Sequence, residues 1–206
     1  MPKDLWKLVL KGAIGFLIGL AVWSGLSQPY TRVLASLSET VIRLAERPAV
    51  TSITADGTLM MVARSDVPTS PSSGSFAVES TDITFNIILL VTLFAASSRA
   101  FSDRNMFGFA IAAIALVFVH VAAVVSFVEA WYAGSFGSWS AAHYGFIAKR
   151  FWEAAPYFYS LVGTYGSAIA IWWLLRAPSD HIPRRTVQRR KAAGLRAGAA
   201  SGSARG

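Results

Sequence analysis

The 206-residue chain has no cysteine, which removes disulfide staples, thiolate metal ligands and a catalytic thiol from consideration. Charge is also scarce: Asp, Glu, Lys and Arg make up 15% of the residues and hydrophobic residues 54%, too apolar a balance for an ordinary soluble domain. The charges are segregated, so long stretches carry none, and the class is membrane protein. Histidine occurs three times, at 120, 143 and 181, never at a ligand spacing such as the i, i+4 pair of a zinc-peptidase helix. No glycine loop suited to cradling phosphate occurs, so neither a metal nor a cofactor is expected. The spans lack a chain of charges to mark an ion path and show no duplication, which disfavours a small transporter.

What is present is apolar length. A helix needs about 20 mostly apolar residues to cross the bilayer core, and four segments meet that demand: Leu8 to Leu26, Ile83 to Ala100, Met106 to Val128, and Ala154 to Leu175. These predict an all-α membrane protein, a four-transmembrane-helix bundle, with a small α+β external segment between the first and second spans. The corresponding divisions are 1–26 (tail and first span), 27–82 (external cap), 83–100, 106–128, 129–153 (aromatic interfacial segment), 154–175, and 176–206 (basic tail). Trp6, Trp23, Tyr30, Trp131, Tyr132, Tyr157, Tyr159, Trp172 and Trp173 lie near the span ends, where amphipathic rings prefer the headgroup level.

The net charge of +8 is an orientation signal rather than a nucleic-acid footprint. Lys3, Lys7, Lys11, Arg99, Arg104 and eight basic residues from Arg176 to Arg205 flank one side, whereas Arg32, Arg43, Arg47, Arg64, Lys149 and Arg150 flank the other. By the positive-inside rule both termini are expected in the cytoplasm of a bacterial inner membrane, with no nucleic-acid partner. Val22-Trp23-Ser24-Gly25-Leu26-Ser27 is a poor signal-peptidase site, so the first span is expected to stay as an uncleaved anchor. The tail beyond Pro178 has no apolar periodicity and is expected to be disordered.

In the first external segment Pro29 suits a helix start and Pro48 a stop, and Tyr30, Val33, Leu34, Leu37, Val41 and Leu44 recur at helical spacing. Val50–Ala55 and Thr58–Arg64 then read as strands around Asp56-Gly57, a hairpin signal in which both turn positions would take positive φ. A third strand is expected at Phe76–Glu79, after a loop rich in Pro, Ser and Gly. In the second segment Tyr144, Ile147, Ala148, Phe151 and Ala155 form one stripe of an interfacial helix.

Polar residues in or beside the spans are the candidates for chemistry: Asp82, Asn86, His120, Glu129 and His143, which would have to converge near the outer surface to act together. Their alternative use is structural, with His120 bonded to a neighbouring helix and the acids merely interfacial. Gly12, Gly15 and Gly19 are the helix-packing candidates, Gly15 and Gly19 forming a GxxxG pair that admits a close neighbour.

The run Gln28-Pro29-Tyr30-Thr31-Arg32-Val33-Leu34 opening a helix, the small β-rich segment, and Asp82-Ile83-Thr84-Phe85-Asn86-Ile87-Ile88-Leu89-Leu90 opening the second span resemble the membrane proteins associated with exosortase H over roughly residues 1 to 175. The resemblance implies an accessory role beside a membrane transpeptidase of bacterial protein sorting, and it supplies no catalytic residues. The sorting enzymes resemble cysteine peptidases, which this cysteine-free chain is not. The expected function is a non-enzymatic accessory or scaffold protein whose partners are membrane lipid and another integral membrane protein, which the resemblance implies is an exosortase. The alternative is an integral-membrane enzyme or lipid-handling protein with its site at the outer interface.

Overall fold

The computed structural model describes residues 3–46, 49–66, 76–97 and 101–176. Pro48, most of the loop after the second strand, the Arg99 end of the second span, and the tail from 177 onward lie outside them. The elements are α1 (Lys3–Ala45), β1 (Thr51–Asp56), β2 (Leu59–Arg64), β3 (Phe76–Glu79), α2 (Ser80–Thr84), α3 (Asn86–Ala96), α4 (Asp103–Ser135), α5 (Ser138–His143), α6 (Phe146–Phe158), a π turn (Tyr159–Gly163) and α7 (Thr164–Arg176). Residues 1–172 form one compact unit; of the second, 173–206, the described part is the last turn of α7.

The expected break at Pro29 does not occur. α1 is one helix of 43 residues, roughly 65 Å long at 1.5 Å per residue and twice the bilayer core. Proline inside a helix costs about 3 kcal/mol. Beyond it, however, Leu34, Ala35 and Ile42 are at most 2% exposed, and burying large side chains such as Leu34 and Ile42 contributes about 1.5–3 kcal/mol each. Burial on the far side therefore outweighs the lost backbone bond. Gly15, Gly19, Trp23, Ser27, Thr31 and Ala35, every fourth residue, are all buried, forming one ridge of the kind helices interlock with.

The lower part of that ridge receives α3. A Cβ added to Gly15 would stand 2.5 Å from the Ala95 Cβ, and one on Gly19 would stand 3.4 Å from Ile88 Cγ2, whereas at Gly12 nothing lies within 4 Å. The upper part receives the sheet, an antiparallel meander in the order β1-β2-β3. Period-two burial turns Thr51, Ile53, Met60, Val62 and Val78 inward, and the apolar members join a core with Leu34, Ile42, Val124, Val128 and Tyr132. The hairpin loop is Gly57-Thr58, because Asp56 pairs with Leu59. Of the expected pair of positive-φ positions only Gly57 takes it, at φ 62°, as a glycine at the first central position of a II′ turn does.

Three helices are long and apolar enough to cross a membrane, Leu5–Ala45, Asp103–Ser135 and Phe146–Leu175, with a shorter apolar stretch at Ser80–Ala96. The described residues thus show three long candidates and one short one, Ser80–Ala96, instead of four full spans, with Phe85 between α2 and α3. The third expected span does not end at Val128 but runs on to Ser135. The interfacial helix and the fourth span are continuous from Phe146 to Arg176 through Pro156 and the π turn. The stripe expected on that helix is not packed on this chain: Ile147 and Phe151 are 83% and 60% exposed. A π turn places a side chain out of the ordinary helical register. Here it aims Tyr159, whose hydroxyl donates to the Ile83 carbonyl at 2.6 Å, satisfying backbone beside the Phe85 break as apolar surroundings demand.

The packing at Gly15 yields a graded expectation. Gly15→Ala lowers the thermal midpoint of the detergent-purified protein, because its Cβ meets Ala95, while Gly12→Ala leaves it level or raises it through the roughly 1 kcal/mol helix preference of Ala. Thermal denaturation of both variants beside wild type measures the difference, and a loss at Gly12 equal to that at Gly15 would contradict this packing.

Candidate functional site

The polar residues among the helices form one relay. The Tyr30 hydroxyl lies 2.7 Å from His120 Nδ1, His120 Nε2 lies 2.7 Å from Asn86 Oδ1, and Asn86 Nδ2 donates to Ser167 Oγ at 3.2 Å. With the amide oxygen of Asn86 toward Nε2, that nitrogen carries the proton and Nδ1 accepts from Tyr30. His120 is wholly buried, neutral in this arrangement, and satisfied at both nitrogens. The relay ties α1, α4, α3 and α7 together. Beside it Thr31 Oγ1 and Ser80 Oγ are 2.6 Å apart, joining α1 to α2.

A second network lies under the sheet. Glu46, just past α1, accepts from the backbone N–H groups of Val50 and Thr51 at 3.2 and 3.0 Å and from the Thr51 hydroxyl, which is also 2.6 Å from the Tyr132 hydroxyl. Arg64 donates to Glu46 at 2.7 Å and to both oxygens of Asp66. Its guanidinium carbon stands 4.8 Å from the centre of the Tyr132 ring and 4.5 Å from that of Trp139, within cation–π range. Burial works against the charge on Arg64, but the hydrogen bond it donates to Asp66, the neighbouring Glu46 and Asp66 charges and Tyr132 together hold it above its ordinary value. Trp139 also stacks on His143 at 4.2 Å.

A third feature is an open groove of about 870 Å³ between α4 and α6. Phe127, Trp131 and Tyr157 line it, with Arg150 and Glu153 at one end.

The family model for exosortase H-associated membrane proteins matches residues 2–178. The chain belongs to that family. No curated protein and no solved structure matches it.

In this member of the family the five residues singled out from sequence fall in separate places. Asn86 and His120 touch. Glu129 instead accepts from the Tyr144 hydroxyl at 2.6 Å, His143 is exposed against Trp139, and Asp82 is exposed in the first turn of α2. The bonded partners of His120 are a phenol and an amide, and all three groups are engaged with one another between the helices. Among the described residues no group of three or more His, Asp or Glu could hold a metal ion. The principal members that sequence reasoning passed over are Tyr30, Tyr159, Glu46 and Arg64. Tyr30 and Tyr159 were visible only as interfacial aromatics, and no local spacing announces a pair such as Glu46 and Arg64, which lie on different elements.

Tyr144 carries a pH signature. Burial, and then the hydrogen bond and charge of Glu129, push its phenol well above the ordinary 10.0. A raised phenol stabilises the fold at and below about pH 10 and loses that contribution as pH rises from there toward the folded value. Thermal midpoints measured from pH 8 to pH 12 are therefore expected to fall above about pH 10, and Tyr144→Phe to fall less steeply. Parallel curves for the two proteins would contradict this role.

Proposed function

We propose that this protein is a non-enzymatic accessory subunit that works beside an exosortase in the bacterial inner membrane, with the sheet on the outer side and both chain ends in the cytoplasm. The observation that carries the reading is membership of a family described by its association with exosortase H, over nearly the whole chain. The distribution of Lys and Arg supports the orientation. The absence of an enzymatic step is supported by the internal engagement of Asn86, His120 and Glu129, each in a bond that serves packing.

The surface offered to the partner is the free stripe on the upper half of α1. Val33, Leu37, Val41 and Leu44 are 54%, 41%, 44% and 79% exposed, while Leu34, Ala35, Ser38 and Ile42 of the same helix are buried. Leu37 and Val41 border a small apolar depression with Ile114 and Phe118 of α4. An apolar helix face left uncovered by the other described residues is the form of a helix-in-groove or helix-on-helix contact.

A photo-crosslinking residue at Leu37, in native membranes containing the exosortase, is expected to capture that enzyme, while one at Thr54 on the open face of the sheet is not. Leu37→Glu with Val41→Glu is expected to reduce co-purification at least about tenfold, the equivalent of 1.4 kcal/mol. Recovery of a lone monomer, with no exosortase captured from Leu37, would overturn the proposal.

A further inference from the structure

The groove between α4 and α6 is not used by the reading above. Its walls are graded along its length. α5 turns the chain back on itself, so Ser135 of α4 and Arg150 of α6 lie toward the connection between the helices, and Phe127 and Ser160 lie toward the interior of the two apolar spans. The inner stretch is apolar and aromatic, with Phe127, Pro156 and Tyr157. Ala130 and Ala154 line it with short side chains that leave its floor unfilled. Phe76 of β3 forms the outer wall, stacked on Trp131 with ring centres 5.1 Å apart.

The mouth is cationic. Glu153 is the single carboxylate there and is shared by two bases, Arg150 at 3.2 Å and Lys149 at 3.8 Å. One negative charge against two positive ones leaves a net positive charge at the outer end. Glu153 takes one N–H of a guanidinium that has five. Arg150 is also 69% exposed at its side chain, so its remaining donors are accessible. An apolar slot that opens sideways from a membrane-crossing helix pair and ends in a basic mouth at the level of Trp131 matches one amphiphile in charge and polarity, a phospholipid with an anionic headgroup.

We propose that this groove binds an anionic phospholipid, its phosphate against Arg150 and Lys149 and one acyl chain along Phe127, Ala154 and Tyr157. The lipid fills the space between α4 and α6 that their own side chains leave open, and braces β3 through Phe76 and Trp131. Its occupancy is independent of any exosortase, so this site and the proposed partner surface on α1 stand or fall separately.

The test uses the full chain in nanodiscs of phosphatidylcholine doped with phosphatidylglycerol bearing a photoactivatable acyl chain, with labelled peptides mapped by mass spectrometry. Label is expected on residues 127–131 and 154–160. It should fall about fivefold for each charge removed in Lys149→Gln and Arg150→Gln, and be lost in Ala154→Trp, which fills the slot. Circular dichroism identifies any variant that fails to fold; the two Gln substitutions, at exposed positions, keep the test decisive if the Trp variant is lost. The same analogue carrying a choline headgroup should label the groove weakly. Equal labelling by the two headgroups, labelling indifferent to the Gln substitutions, or labelling spread evenly over the lipid-facing surface would overturn the proposal.

Discussion

One helix face sets the rest of the structure. The ridge of α1 from Gly15 to Ala35 is buried on both sides of Pro29, so a single continuous helix serves the apolar bundle with its lower half and the sheet with its upper half. α3 approaches where the ridge is made of glycine, because only there does the backbone leave room for Ala95 and Val91. The sheet approaches where the ridge becomes Leu34, Ala35 and Ile42, because three short strands without disulfides bury too little surface to stand alone. Thr31 lies between these halves and holds Ser80, the residue at which the chain leaves β3 and enters α2. The proline penalty is absorbed because breaking the helix would forfeit the packing above it.

The second constraint is the cost of polar groups away from water. The helices contain a histidine, an asparagine and several hydroxyls, and the fold spends them on one another: Tyr30, His120, Asn86 and Ser167 in a line, and Tyr159 on the carbonyl left by the Phe85 break. Such bonds in apolar surroundings average about 0.6 kcal/mol, so their chief contribution is to register. A slip of α4 by one turn against α1 would strand a buried imidazole. The same economy operates under the sheet, where Glu46 and Arg64, each with a side chain only 10% exposed, face one another at 2.7 Å, and removing Arg64 would leave Glu46 buried without its counter-charge.

Much of this was legible in the sequence where the signal is local. The GxxxG pair and the third strand at Phe76–Glu79 appear where periodicity places them, and the hairpin strands do so with the turn moved by one residue to Gly57-Thr58. The misreadings share a physical origin. Pro29 is a sound local helix-start signal, overridden by the packing of Leu34 and Ile42 against the strands and α4. Span ends at Leu26 and Val128 followed from bilayer thickness, but α1 and α4 leave the apolar stretch without unwinding because the sheet gives their upper halves a core to cover. Phe85 carries no breaker chemistry of its own, and the interruption there is sustained by Tyr159, distant in the chain. The amphipathic stripe on upper α1 was read as one face, whereas the structure divides it into a buried edge at Leu34 and an exposed edge at Val33, Leu37, Val41 and Leu44. Hydropathy alone does not distinguish the two, since both are aliphatic.

A continuous α1 is the claim on which the coupling of bundle and sheet rests. Because the chain has no cysteine, spin labels at Leu17→Cys and Leu44→Cys, both exposed positions, require no other substitution. Pulsed electron–electron distance measurement on the reconstituted protein should give a single narrow distribution no longer than about 40 Å, the span of 27 residues at 1.5 Å each in a straight helix, and shortened by any fixed kink at Pro29. A broad or multimodal distribution would mean that the helix is interrupted at Pro29 and that the sheet moves independently of the bundle.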